Sequence, residues 1–124
     1  MTKDRTFDLR ERLIDYAVRI VKLSEVMPAT KSGAHIAAQI LRSGTSPAAN
    51  YGEAQSAESR ADFVHKLKIA LKELRETNIW LRIICKASLI APDTKLTPLL
   101  QETDDLMAIL FTSIETAQKR KSRT

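Results

Sequence analysis

The 124-residue chain predicts an all-α fold, an antiparallel up-down four-helix bundle. Three observations predict it. Apolar residues recur at alternating steps of three and four in four separate stretches. No stretch alternates apolar and polar residues as a half-buried strand does. The 3 glycines and 4 prolines are too few for the turns of an all-β chain, and the joins between stretches are short, roughly 3–7 residues, as between bundle neighbours.

The first helix is expected from about Phe7 to Met27, stopping before Pro28. Leu13, Ala17, Ile20, Ser24 and Met27 set its face, and Ile14, Val18 and Val21 widen it. Pro28 and Gly33 punctuate the first join. The second helix is expected from about Ala34 to Gln55 and contains Pro47. There the proline removes one backbone hydrogen bond and crowds the carbonyl of Ser43. The helix either breaks at Thr45-Ser46 or continues with a kink. Its apolar stripe keeps phase across Pro47, which favours the kink.

The third helix begins near Ser59, an N-cap with Asp62 three residues on as a capping-box-like partner. Its stripe is Phe63, Leu67, Ala70, Leu74, Leu81 and Cys85, with Asn78 in the same line. An Asn among core positions is expected to be hydrogen-bonded structural glue. Leu89-Ile90-Ala91-Pro92 ends this helix. The fourth runs from about Thr94 to Ala117, with a stripe of Leu96, Leu99, Leu100, Thr103, Leu106, Met107, Leu110, Ile114 and Ala117. Residues 1–118 therefore form one domain, and residues 119–124 a basic C-terminal tail.

Composition narrows the function classes. At 44% apolar and 28% charged residues the chain is globular rather than disordered. The single Cys85 excludes an internal disulfide and fits a small buried hydrophobe. No apolar run approaches the ~18 residues of a membrane span and no signal peptide is visible, so a cytoplasmic protein with no membrane partner is expected. Net charge is +5, but Lys119, Arg120, Lys121 and Arg123 supply most of it. Without those four, 16 basic residues face 15 acidic ones, and the folded body is nearly neutral.

No catalytic set stands out. His35 and His65 lie on different helices without metal-ligand spacing. Glu53, Asp62, Glu73 and Glu76 offer carboxylates, but a di-metal bundle needs Glu-x-x-His pairs on two helices, and the chain has none. A non-enzyme without metal or cofactor is expected.

The most informative stretch is Arg42 to Glu53. At about 100° per residue, Gln39, Arg42, Ser43, Ser46, Asn50 and Glu53 share one polar stripe. Ile36, Ile40, Leu41, Gly44, Ala48 and Tyr51 fall on the other side. A free helix face is normally filled with strong helix formers, and these small hydrogen-bonding residues are poor ones. The stripe is therefore expected to pack against another helix or another subunit. Arg42 and Glu53 are separated by about three turns and cannot pair with each other, so each needs a partner elsewhere.

The run Gln39-Ile40-Leu41-Arg42-Ser43-Gly44-Thr45-Ser46-Pro47-Ala48-Ala49-Asn50-Tyr51-Gly52-Glu53 resembles the signature of bacterial four-helix-bundle proteins. That family is named for reading frames within intervening sequences of 23S ribosomal RNA genes. Asp62-Phe63, Leu67, Ile69-Ala70 and Glu73-Leu74 continue the likeness, which covers nearly the whole chain. Pro47 and Tyr51-Gly52 depart from it, standing where the family usually has an aliphatic residue and an aliphatic-Ala pair. The resemblance implies a bundle that assembles into a homopentameric ring. It also implies kinship with the accessory variability protein of diversity-generating retroelements, which binds nucleic acid and a reverse transcriptase. The resemblance leaves the family's own biochemical role open.

The remaining signal is cationic. Lys68, Lys72, Arg75, Arg82 and Lys86 fall in a band roughly 80° wide on the third helix. With Lys119, Arg120, Lys121 and Arg123 they are the candidate contacts to a nucleic-acid backbone. Ile79 interrupts the band, and the few aromatics (5%) do not interleave with it in sequence, so base stacking is not expected. The function expected is a non-catalytic oligomeric scaffold binding RNA or DNA through backbone charge. The alternative is a protein-only adaptor.

Overall fold

A computed structural model describes the backbone of residues 5–123 and the side chains of residues 9–120. The described residues form four α-helices: α1 (Arg5–Glu25), α2 (Lys31–Gln55), α3 (Arg60–Lys86) and α4 (Thr97–Arg123). A short 3-10 helix, Asp93–Leu96, precedes α4, and no strand occurs among these residues. Successive helices run antiparallel. Gly44 lies against Ile20 between α1 and α2, Glu53 pairs with Lys66 between α2 and α3, and Asn78 meets Asp104 between α3 and α4. Tyr16–Thr103 and Arg12–Glu102 close α1 onto α4. The α1–α2 seam and the α3–α4 seam therefore lie on opposite sides of the bundle.

The helix ends follow local chemistry. Thr30 caps α2, its side chain accepting from the Gly33 N–H at 3.1 Å. The helix thus starts at Lys31, and Gly33 is part of it rather than a breaker. A Cβ on Gly33 would stand 2.2 Å from the Pro28 carbonyl oxygen, so the entering chain needs a glycine there. Ser59 caps α3 by accepting from the Asp62 N–H at 3.0 Å. At the other end of α3, Ser88 takes a left-handed conformation (φ 55°). The Leu89 and Ser88 N–H groups then bond the carbonyls of Ile84 and Cys85, which closes the helix in a Schellman motif. α2 continues unbroken through Pro47, which is buried. α4 continues past Ala117 to Arg123, so the backbone of residues 119–123 extends this helix.

Two expectations about the core are corrected. On α1 the buried line is Leu9, Leu13, Tyr16, Ile20 and Leu23. Ile14, Val18 and Val21, expected to widen the core face, are instead exposed at 41%, 45% and 39%. Both lines keep the helical period, and the one holding the larger Tyr16 and two further leucines is buried. The Tyr16 hydroxyl is satisfied inside, 2.6 Å from Thr103 Oγ1. Thr103 also lies 2.7 Å from the Leu99 carbonyl, which can only accept. Thr103 therefore donates to Leu99 and accepts from Tyr16.

On α3 the polar group inside the core is Thr77, not Asn78. Asn78 stands at the rim, its Nδ2 3.4 Å from Asp104 Oδ1. A threonine hydroxyl can bond its own helix one turn back, as Thr77 does to the Glu73 carbonyl at 2.8 Å. That lets it be buried where a longer amide cannot be satisfied as easily.

Candidate nucleic-acid interface

The polar stripe of α2 faces α3 of the same chain. Arg42 spans two carboxylates, reaching Glu73 Oε1 at 3.2 Å and pairing with Glu76. Ser43 is fully buried with its hydroxyl 2.8 Å from that of Thr77. Glu53 holds Lys66 at 2.7 Å. Asn50 turns back on its own helix, its Nδ2 donating to Ser46 Oγ and to the Ser46 carbonyl. Gln39 is half-buried, and Asp62 sits at the α3 cap. Arg42, Ser43 and Glu53 clamp α2 to α3 within one chain. Arg42 and Glu53 thus find their partners on a neighbouring helix.

The clamp settles the charges of α3. Glu76 accepts from the Trp80 indole N–H at 2.9 Å, and this bond together with Arg42 holds its carboxyl below the ordinary range. Trp80 is further fixed by an edge-on contact with His35, ring centres 6.1 Å apart. Glu73 and Glu76 therefore belong to the α2 side of the helix. Lys68, Lys72, Arg75, Arg82 and Lys86 lie toward α4, and all five are exposed. None of the five makes an ion pair with a described residue. The i,i+4 spacing of Lys72 and Glu76 does not yield a pair, because Arg42 and Trp80 occupy Glu76.

The basic C-terminus is not brought into this band. Arg60 Nη1 lies 3.5 Å from the Ala117 carbonyl, which sets the end of α4 beside the start of α3. Lys119 and Arg120 stand there, two to three helical turns beyond Lys68. The side chains of Lys121 and Arg123 lie outside the described residues. Cys85 is half-buried, and burial pushes its thiol up from the ordinary value, the direction of an unreactive cysteine. Among the described residues no group of three or more His, Cys, Asp or Glu side chains could hold a metal ion, and no helix is long and apolar enough to cross a membrane.

The family model for the 23S rRNA-intervening sequence protein matches residues 5–112 of this chain. The chain belongs to that family. A crystal structure from Bacteroides thetaiotaomicron, described as a protein with unknown function from the S23 ribosomal protein family, is similar throughout. It shares 34% identity with a TM-score of 0.83, over 90% of this chain and 99% of that one. No curated protein matches the chain. The matched residues take in α1, α2, α3 with its cationic band, the α2–α3 clamp and α4 as far as residue 112, and the match brings no catalytic assignment with it.

One surface escaped the sequence reading. Gly44 meets Ile20, so Leu41 and Ala48, one turn to either side of Gly44, flank the α1–α2 seam on its outer side. Ala17 and Val21 flank Ile20 in the same way. Leu41 is 39% exposed beside the exposed Ile14, Val18 and Val21. Thr45, Ala49 and Gly52 continue this outward face of α2, and none of these positions carries a charge. The signal was legible in the sequence as a second apolar stripe on α1, read there as extra width of the first.

Proposed function

We propose that the chain is a non-catalytic, cytoplasmic, self-associating helical scaffold that binds nucleic acid along α3 through the phosphate backbone. One observation carries the reading. The five cations on the α4 side of α3 are exposed and make no ion pair with a described residue, while Glu73 and Glu76 of the same helix are tied to Arg42 and Trp80. A solvated helix face normally intersperses both signs. A row of cations without ion-pair partners among the described residues suits a polyanion, whose condensed counterions are released when it binds.

The test is fluorescence anisotropy of labelled RNA and DNA across a salt series. Each phosphate contact adds roughly 0.7–0.9 to the log–log salt slope. Changing Lys68, Lys72 and Arg75 together to Gln is expected to weaken binding and flatten the slope by about two. Removing residues 119–124 is expected to flatten it separately, because that cluster stands apart from the band.

The exposed apolar residues Ile14, Val18, Val21 and Leu41 along the α1–α2 seam support self-association, with a homopentamer as the form that the family resemblance implies. The same face favours a second reading, a protein-only adaptor for which a reverse transcriptase is one candidate partner. Failure of the parent protein to hold either nucleic acid at 100 mM salt selects that reading.

A further inference from the structure

The α3–α4 seam holds more than charge. Asn78 meets Asp104 across it, and Arg60 meets the Ala117 carbonyl nearer its other end. Phe111 stands seven residues beyond Asp104, about two turns along α4 and on the same face. Two turns back along α3 from Asn78 is Leu71. The register thus sets Phe111 level with the stretch from Lys68 to Arg75. Phe111 is 49% exposed. Further along the same side of α3, Ile79 and Ile83 are exposed among the cations at 51% and 37%. With Arg82, Lys86 and Ala87 they line an open hollow of about 450 Å³.

Cations alone are satisfied by any phosphate backbone. A duplex turns its phosphates outward and keeps its base faces stacked inside, so it offers nothing to an exposed ring or to two exposed isoleucines. A single strand offers both, phosphates to Lys and Arg and unstacked base faces to aromatic and aliphatic side chains. We propose that this seam is a site for single-stranded nucleic acid. Phe111 stacks on a base between the phosphate contacts of Lys68, Lys72 and Arg75. Ile79 and Ile83 receive a base further along, between Arg82 and Lys86. The inference rests on the nucleic-acid reading above and narrows it to unpaired strands. It departs from the expectation that base stacking plays no part. Phe111 comes from a different helix, and no pattern within α3 could show it.

The test compares labelled oligo(dT) and oligo(U) with a duplex of equal length and with polyglutamate, all by anisotropy on the full chain. The parent is expected to hold the single strands about tenfold or more tighter than the duplex or polyglutamate. Phe111→Ala is expected to lose about 5- to 100-fold on single strands, in the range of one lost base stack, with duplex binding and salt slope unchanged. Phe111→Trp is expected to keep single-strand affinity, which separates stacking from any effect on folding. The triple change of Lys68, Lys72 and Arg75 to Gln weakens both substrates. Equal affinity for duplex, or unchanged single-strand affinity in Phe111→Ala, overturns the single-strand inference and leaves the backbone reading standing. Polyglutamate bound as tightly as oligo(dT) overturns it in favour of an acidic protein partner. A parent that holds none of these ligands overturns both readings.

Discussion

Ser43 Oγ and Thr77 Oγ1 lie 2.8 Å apart across the α2–α3 seam, and neither residue has any exposed surface. Thr77 Oγ1 is equally close, at 2.8 Å, to the Glu73 carbonyl. One hydroxyl hydrogen cannot serve both, and the carbonyl can only accept. Thr77 therefore donates to Glu73 and accepts from Ser43. Ser43→Ala leaves Thr77 its carbonyl bond and should cost about 0.5–1.5 kcal/mol. Thr77→Val strands the Ser43 hydroxyl and should cost about 1–3 kcal/mol. The double variant should lose less than the two costs added, in urea melts. Strict additivity would show that the two hydroxyls do not act as a pair.

Two glycines of α2 should respond in opposite directions. A Cβ on Gly44 would lie 2.6 Å from Ile20 Cγ2 and 2.7 Å from Cγ1, branched atoms close to a backbone that cannot swing aside. Gly44→Ala should cost about 1–3 kcal/mol through overpacking. Gly52 has nothing within 4 Å of the same position. Gly52→Ala should gain about 0.5–1 kcal/mol from helix propensity. Thermal melts that move the same way in both variants would contradict the close α1–α2 approach.

Tyr16 should resist ionisation. Burial pushes its phenol up to about 12, against an ordinary 10.0. The unfolded chain releases this proton near the ordinary value while the folded chain keeps it. The stability is therefore fully present below pH 10 and is lost as pH rises through about 12, amounting to about 3 kcal/mol at 1.36 kcal/mol per unit. Tyr16→Phe should remove that alkaline loss, measured as urea midpoints between pH 9 and 12. An equal loss in the variant would place its origin elsewhere.

Glu76 gives the opposite pH signature. Its carboxyl is held below the ordinary 4.5, first by the Trp80 indole and then by Arg42. The resulting stability is present above the unfolded carboxylate value and is lost as pH falls through the lower folded one. Trp80 is the chain's single tryptophan, so its emission reports the step directly. The emission should shift with a midpoint below 4.5 in the parent and closer to that value in Arg42→Ala. Identical midpoints would mean that Arg42 contributes nothing to Glu76.

Val18→Glu tests the exposed apolar patch of Ile14, Val18, Val21 and Leu41 along the α1–α2 seam. Val18 is already exposed at 45%, so a charge there should leave the melt of an isolated chain within about 0.5 kcal/mol. In an assembly that buries this face, the same charge should reduce the mass found by light scattering. An oligomer of unchanged mass would assign assembly to another surface.

The helices were legible because their inner faces repeat with the helical period, as the line of Leu99, Leu106, Leu110 and Ile114 on α4 shows. Ser59 was legible as a cap because its partner, the Asp62 N–H, is local. What failed depended on which of two equivalent patterns a neighbouring helix covers. α1 has two apolar lines, and only packing decides that Tyr16 goes in and Val18 stays out. Likewise, the partners of Arg42 are more than thirty residues away, so the need for them was readable and their identity was not. Phe111 beside the cations is the same case, because two helices must be set in register before the seam exists.

α3 carries seven cations against three acids, whereas α1 carries five against four, and the α3–α4 seam stands opposite the α1–α2 seam. The excess positive charge of these two helices therefore sits on α3. At physiological ionic strength a field of this kind reaches about 8 Å before screening removes it. A polyanion of the kind proposed above would turn the chain within that distance so that α3 arrives first. Raising the salt should then slow arrival more than it hastens departure, because release is governed by short-range contacts that screening reaches least.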